Sequence, residues 1–147
     1  MSRRLDLSSV ENCACFNVRR AARVITQFFD AEVGRHGIQP TQSPILNALR
    51  AREGWSMAQL SDFLGMERTT LVRNLRPLQR DGLVRVSGGG RGGRVAIEIT
   101  GKGRKLVARI LPAWRAAQER VVATLGEDRW AAIIDDLRQV AEKLKNQ

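Results

Sequence analysis

The amino-acid sequence predicts a mainly α-helical protein that carries a single short β-hairpin. Apolar residues recur at every third or fourth position through most of the 147 residues, which is the period of amphipathic helices. Two short runs rich in Val and Ile, residues 83–86 and 95–99, flank a glycine-rich stretch, a pattern typical of a hairpin. A chain of this length can bury one core, so we expect one domain over residues 1–147.

Two helices are predicted in the N-terminal third. Residues 8–11 match the Ser-x-x-Glu capping box, and apolar residues follow at helical spacing as far as Phe29. The first helix is therefore expected to end near Gly37. Thr41 is predicted to cap the second helix, and Gly54 is predicted to stop it.

The centre of the chain predicts two helices joined by a tight turn. Ser56 and Gln59 form a second capping box ahead of a short helix that Gly65 ends. The inward side chains of that helix are predicted to be Leu60, Phe63 and Leu64. The next helix is predicted to begin near Glu67 and to bend at Pro77. Its inward side chains are predicted to be Leu71, Leu75 and Leu78. This pair of helices resembles a helix-turn-helix.

The last third contains the hairpin and two long helices. The hairpin tip, residues 87–93, is mostly glycine, but it lacks the Gly-Lys-Ser/Thr ending of a phosphate-binding loop. Helical spacing then runs from Gly101 to Gly126, with a kink expected at Pro112, and resumes in a final helix that opens at Glu127. The apolar stripe of the final helix comprises Trp130, Ile133, Ile134, Leu137, Val140, Ala141 and Leu144. One small domain cannot cover stripes of this length, so we expect an obligate homodimer.

The charge distribution predicts an anionic partner. Lys and Arg number 25 against 15 Asp and Glu, which gives a formal net charge of +10. Eleven of those basic residues lie between Arg68 and Arg109, where only two acidic residues occur. Arginine predominates, and its planar guanidinium pairs well with phosphates and guanine edges. The expected partner is therefore nucleic acid.

Composition also excludes several functions. One His and no Tyr leave few groups that titrate near neutral pH, so we expect no enzyme. The sequence contains no apolar run long enough for a membrane span and no signal-peptide core, which predicts a cytoplasmic protein without a membrane partner.

The order of elements, helix, helix, helix-turn-helix, basic hairpin and two long helices, resembles the MarR family of bacterial transcription regulators. The segments that carry the resemblance are WSMAQLSD (55–62), MERTTLVRNL (66–75), LQRDGLV (78–84), ITGKG (99–103) and LPAW (111–114). The resemblance implies a winged helix-turn-helix homodimer, usually a repressor, that binds a pseudo-palindromic operator in double-stranded DNA. Residues 8–36 and 101–145 would form the dimerisation helices, and residues 41–100 the DNA-binding lobe.

Candidate DNA-contacting residues fall in two places. A helix in the major groove needs short hydroxyl groups and arginines toward bases and phosphates, and the candidates are Arg68, Thr69, Thr70, Arg73 and Asn74. Arg73 is the predicted base reader. In the wing, Arg91 or Arg94 is expected to enter the minor groove. The wing of this family usually holds an Asp that braces the tip arginine, whereas this tip has only Gly and Arg.

Cys13 and Cys15 are too close in sequence to close a useful structural loop. Cys15-Phe16 resembles the Cys-Phe of the peroxide-sensing branch of the MarR family, but that site uses tyrosines or a later second cysteine, and this chain has neither. A soft metal or metalloid ion held by both thiolates is the second interpretation, although positions i and i+2 of a helix face apart. In the third, one Cys is simply a small buried residue and the other is incidental.

The family more often senses small aromatic acids, in a pocket between the dimer base and the DNA-binding lobe. Residues that could line such a pocket here are Arg19, Arg20, Arg23 and Trp114. His36, beside Gly37, is interpreted as a helix-end residue rather than a ligand. No cofactor is required.

The leading hypothesis is a sequence-specific transcriptional regulator, gated by a small effector or by Cys13 and Cys15. The alternative is a sequence-neutral architectural protein, which would share the charge. It would not need long apolar terminal helices or hydroxyl groups on the recognition helix.

Overall fold

The computed structural model describes residues 5–88 and 95–145. A short 3-10 turn, Val10–Asn12, precedes helix α1 (Ala14–Val33), and another, Gly34–His36, follows it. The remaining elements are α2 (Ser43–Ala51), α3 (Met57–Leu64), α4 (Arg68–Arg80), β1 (Val84–Ser87), β2 (Ala96–Ile99), α5 (Gly101–Ala123) and α6 (Glu127–Lys145). The predicted fold class, mainly α with one hairpin wing, is confirmed.

The first helix begins later than the predicted capping box. The Ser9 hydroxyl accepts a hydrogen bond from the Glu11 amide at 3.3 Å, but it caps only the 3-10 turn. Helix α1 starts after Cys13, whose backbone is extended. Just upstream, hydrogen bonds from Ser8 hold the pKa of the Asp6 carboxyl below its ordinary value.

The residue before the second helix is not the one that the sequence indicated, and its side chain does not cap the helix. Gln42, rather than Thr41, occupies the position before α2, and its buried side-chain oxygen accepts the Gln39 amide at 2.9 Å. This bond closes the α1–α2 connection locally, so Thr41 is left exposed on the turn. Pro44 lies in the first turn of α2, where its missing amide leaves no helical bond unmade.

One hydrophobic core lies beneath α2, α3, α4 and the hairpin, and it extends along α5. Its fully buried large side chains are Ile45, Leu46, Leu49, Leu60, Leu71, Leu75, Leu78 and Ile97. The inward faces predicted for Leu60 and for the three leucines of α4 are confirmed. Both α4 and α5 continue beyond their internal prolines, Pro77 and Pro112.

The inward prediction for Phe63 is wrong. Its side chain is 64% exposed, and its ring lies against the Trp55 ring with the centroids 5.0 Å apart. Helix α3 has only eight residues, so Leu60 and the half-buried Leu64 occupy its narrow inward face. Phe63 is left at the edge of the core.

Helix α6 buries none of its described residues in the single chain. The exposed large apolar side chains on it are Ile134, Leu137, Val140 and Leu144. Five of the seven residues of the predicted stripe are therefore exposed in the single chain, whereas Trp130 and Ile133 are half-buried. Within residues 5–88 and 95–145, no helix is long and apolar enough to cross a membrane.

Candidate nucleic-acid interface and effector pocket

Helices α3 and α4 form a helix-turn-helix whose geometry is fixed by local hydrogen bonds. The predicted capping box is present: the Gln59 amide donates to the Ser56 hydroxyl at 3.1 Å, and the Ser56 amide donates to the Gln59 side chain at 3.0 Å. Gly65 then reverses the chain in the left-handed region, with φ of 61°. The Ser61 hydroxyl donates to the Met66 carbonyl across this turn. Helix α4 consequently leaves the turn in a defined direction.

Helix α4 turns one face to the core and the other to solvent. Leu71, Leu75 and Leu78 are buried, so residues on the opposite side of the helix must point outward. The outward face carries the exposed residues Thr69, Arg73, Arg76 and Arg80, whereas Arg68 is exposed at the N-terminal end of the helix, on the side of the leucines. The outward face is therefore an arginine-rich surface with a hydroxyl group near its N-terminal end.

The candidate DNA-contacting residues do not all lie on this outward face. Arg68, Thr69 and Arg73 are exposed, whereas Thr70 and Asn74 are half-buried beside the core. Arg76 lies on the same exposed face but was not among the predicted DNA-contacting residues. Its position three residues after Arg73 could have indicated it, because residues three apart lie on one side of a helix. The two wing candidates, Arg91 and Arg94, lie outside the described residues.

The arginines of the lobe differ in whether an acidic side chain already neutralises them. Arg80 pairs with Asp81 at 2.9 Å, and this hydrogen bond raises the pKa of the Arg80 guanidinium. Arg85 pairs with Glu98 across the hairpin at 2.7 Å. Among the described residues, no acidic group pairs with Arg68, Arg73 or Arg76. These three guanidinium groups are available to an external anion.

The wing is an antiparallel hairpin tied to the start of α3. Its register pairs Val84 with Ile99 and Ser87 with Ala96. The Ile97 amide also donates to the Trp55 carbonyl at 2.9 Å, so that Trp55 forms an isolated β-bridge with the second strand of the sheet. Because the Trp55 indole donates to the Ala48 carbonyl at 3.1 Å, the wing base is anchored to α2 as well.

A second set of hydrogen bonds joins α4, the wing and α5. The Thr100 hydroxyl donates to the Gly82 carbonyl at 2.7 Å and accepts the Gly103 amide at 3.1 Å, so it caps α5 and holds the end of α4 at once. The Thr100 amide donates to the Leu83 carbonyl at 3.0 Å. Gly103 is buried where α5 crosses this junction, and a Cβ atom there would overlap the Leu83 carbonyl oxygen.

An open cleft of about 670 Å³ lies between the first turn of α3, Arg68 and the start of β2. Its lining includes Ser56, Ala58 and Ala96 in addition to Arg68. The free amides at the start of a helix and a nearby guanidinium both attract anions. The cleft is thus suited to a phosphate group.

A separate apolar cavity of about 310 Å³ lies between α1, the start of α2 and α5. Trp114 lines it, as expected for an effector pocket, and its ring centroid is 6.1 Å from that of Phe29. The arginines of α1 that were candidates for this pocket, Arg19, Arg20 and Arg23, are exposed and do not line it. Its lining residues are Ile25, Thr26, Phe29, Asp30, Val33, Gly34, Ile38, Gln39, Pro40, Ser43, Pro44, Asn47 and Trp114.

Cys13 and Cys15 are both exposed free thiols at the start of α1. Cys13 lies before the helix, with extended backbone angles of −68° and 119°, and Cys15 lies in the first turn. The objection that both thiols sit on opposite faces of one helix therefore does not apply. In the described part of the chain, no group of three or more His, Cys, Asp and Glu side chains gathers as a metal site. His36 ends the 3-10 turn before Gly37, as predicted for a helix-end residue.

The helix-turn-helix, the hairpin beside it and the arginine-rich outward face of α4 define a winged helix-turn-helix DNA-binding protein. A family model described as the MarR family matches residues 36–94. The M. tuberculosis transcriptional regulator MosR is 38% identical, with 92% of this chain and 99% of MosR covered and a TM-score of 0.79. The chain belongs to the MarR family of DNA-binding transcriptional regulators.

Other solved structures agree with this assignment. MosR in complex with DNA is also 38% identical, covers 90% of this chain and 98% of its own, and has a TM-score of 0.78. A MarR-family regulator from Silicibacter pomeroyi is 25% identical, with 94% of each chain covered and a TM-score of 0.72. No protein with a curated description matches the chain.

Proposed function

We propose that this chain is an effector-gated repressor that binds a pseudo-palindromic DNA operator as a homodimer. The observation that carries the proposal is the outward face of α4. Arg73 and Arg76 stand there beside the Thr69 hydroxyl, and Arg68 is exposed at the start of the same helix; none of these three arginines has an acidic partner among the described residues. The opposite face of the helix is packed into the core. The outward face offers both the charge that binds phosphates and the donors that distinguish bases.

Arg73 has the best position for reading a base. It lies near the middle of the exposed face, one turn beyond Thr69, and arginine contacts guanine through two hydrogen bonds. Arg68 lies at the cleft beside α3 and would bind a phosphate there. Thr70 and Asn74, half-buried at the edge of this face, are proposed to contact the groove from its sides. Arg91 or Arg94 of the wing would enter the adjacent minor groove.

The proposed homodimer rests on the uncovered apolar surface of the terminal helices. Leu137, Val140 and Leu144 of α6 are between 46% and 63% exposed, and Phe16 and Val24 of α1 are also exposed. Contiguous apolar surface of this kind favours association. Pairing through residues 8–36 and 101–145 would cover it and set two recognition helices about one turn of DNA apart, roughly ten base pairs.

Two routes could gate DNA binding. The first is a small effector in the cavity beside Trp114, which lies between the helices proposed for dimerisation and the DNA-binding lobe. The second is chemistry at Cys13 and Cys15, by oxidation or by a soft metal or metalloid ion. The extended backbone at Cys13 supports this route, since the two cysteines do not occupy positions i and i+2 of one helix. The cysteines of a partner subunit could complete an ion site.

The decisive experiment separates a regulator from the sequence-neutral architectural alternative. A duplex from the intergenic region beside the gene is titrated with the protein in the presence of excess random DNA. A regulator retains the duplex, because base contacts survive the competition. Complete loss of the duplex to random DNA would favour the architectural protein. We propose no enzymatic activity, no required cofactor and a cytoplasmic location.

A further inference from the structure

The cavity beside Trp114 carries information about the chemical class of its occupant. Its volume of about 310 Å³ is at the lower end of the usual range for small-molecule sites. Val33 and Ile38 form a buried part of its wall, and Phe29 and Trp114 bring two aromatic rings to it. The walls therefore favour a compact aromatic or aliphatic body.

The charge in the cavity comes from one residue. Among the described residues that line it, Asp30 is the only ionisable side chain, and no Lys, Arg or His joins it. Asp30 is half-buried and forms no ion pair with any described residue. Glu32, two residues further along α1, differs because Arg120 pairs with it at 2.9 Å. Asp30 is therefore a negative charge at an apolar cavity whose described lining does not neutralise it.

This arrangement discriminates between ligand charges. A carboxylate in the cavity would meet the Asp30 carboxylate without a compensating cation, and like charges at short range repel strongly in a partly desolvated site. A cation would gain that charge as a partner. Phe29 and Trp114 also line the cavity, and an aromatic ring attracts a cation that lies over its face, which adds to the same preference.

We infer that the cavity binds hydrophobic organic cations, an ammonium group carried on an aromatic body, and disfavours aromatic acids. The inference rests on the proposed function, in which this cavity is the effector site. It replaces the aromatic acid expected from the family resemblance, since the three arginines that were candidates for the pocket lie outside the lining. Ser43 and Asn47 also line the cavity, and their polar groups would contact the polar part of a ligand at the rim.

The test uses three probes that share one ring system and differ in charge: 1-naphthylmethylammonium, 1-naphthylmethanol and 1-naphthoate. Calorimetric titration of the full-length protein measures the affinity of each. We expect the cation to bind at least about ten-fold more tightly than the anion, with the alcohol between them. Absence of binding by the cation, or equal or tighter binding by the anion, overturns the inference.

Three variants tie the preference to the cavity. Asp30→Asn keeps the shape and removes the charge, so the advantage of the cation over the alcohol should fall about ten-fold. Glu119→Gln removes an exposed charge from α5 outside the cavity and should leave that advantage unchanged. Gly34→Leu places bulk at the cavity wall without backbone strain, since no atom lies within 4 Å of a Cβ built there, and should weaken all three probes. An unchanged preference in Asp30→Asn contradicts the inference.

A second readout separates this inference from the proposed function. Operator affinity is measured without ligand, with the cation and with the anion, each ligand at saturating concentration. Selective cation binding without any change in operator affinity supports the ligand class and counts against this cavity as the gate. Tighter binding of the anion than of the cation in the calorimetry, together with release of the operator by the anion, supports an effector-gated regulator and overturns the inference.

Discussion

Replacing Gly103 with Ala should damage the junction between the wing and α5, although it adds only one methyl group. That methyl would overlap the Leu83 carbonyl oxygen and lie 2.8 Å from the Ile99 Cγ1 atom. The carbonyl is backbone, so no rotamer change can relieve the contact. The start of α5 must move away from the hairpin.

The size of the effect follows from what this movement disrupts. Overpacking a buried site costs about 1–3 kcal/mol of unfolding free energy. The hydrogen bonds from Thr100 to Gly82 and Leu83 cross the same junction, and each contributes about 1 kcal/mol. If half of that contribution is lost, the total is roughly 2–4 kcal/mol. For a chain of this length it lowers the melting temperature by about 10 °C.

The matched control is Gly101→Ala, two residues earlier in the same helix. Nothing lies within 4 Å of a Cβ at Gly101, so the substitution should be neutral or stabilise the protein by up to about 1 kcal/mol. Urea and thermal unfolding at one protein concentration compare the two variants with wild type. Equal stability of the two variants would refute the close approach at Gly103. Operator affinity should fall only in Gly103→Ala, because this junction holds the wing beside α4.

Arg73→Ala should cost about 1–3 kcal/mol of binding free energy on the operator and little on random DNA, as measured by fluorescence anisotropy. Equal losses on both DNAs would exclude base reading. Replacing Ile133 and Leu137 with Glu should give monomer or unfolded chain in sedimentation, because charge would enter the proposed dimer contact; a stable dimer would contradict the assignment. Changing Cys13 and Cys15 to Ser should preserve operator binding and abolish any release by arsenite, zinc or an organic peroxide. If none of these agents weakens operator binding by wild type, the thiol gate is wrong.

Local sequence signals predicted the helix-turn-helix well. The spacing of the leucines predicts the inward faces of its two helices, and Ser56 and Gln59, only three residues apart, predict the capping box. Both signals lie within a few residues of the chain. Phe63 was mispredicted because a short helix has room for a narrow inward face, and periodicity alone does not say where that face ends. Phe63 is exposed because Leu60 and Leu64 occupy the side of the helix that contacts the core.

Contacts between distant residues were beyond the reach of the sequence. Nothing local to Trp55 indicates that its carbonyl accepts the Ile97 amide, or that its indole donates to Ala48. Gly103 entered the sequence argument only within a motif that resembles the MarR family. Its physical role, the close approach of α5 to Leu83, exists only once the hairpin has folded. The sequence pointed to Trp114 as a pocket residue, and Trp114 lines the apolar cavity, but no motif marked Asp30, the acidic residue of its lining.

The position of the cavity explains how an occupant would act on the recognition helix. Pro44 and Asn47 of α2 line it, while Ile45 and Leu46 on the same helix are fully buried in the core of the DNA-binding lobe. Close-packed cores resist compression, so a ligand that displaces the outer face of α2 moves the whole lobe with it. In the proposed homodimer, α1 and α5 form the other wall and are held by the partner. The separation of the two lobes would consequently change. Because the two half-sites of the operator have a fixed spacing, the affinity of the protein for the operator would fall.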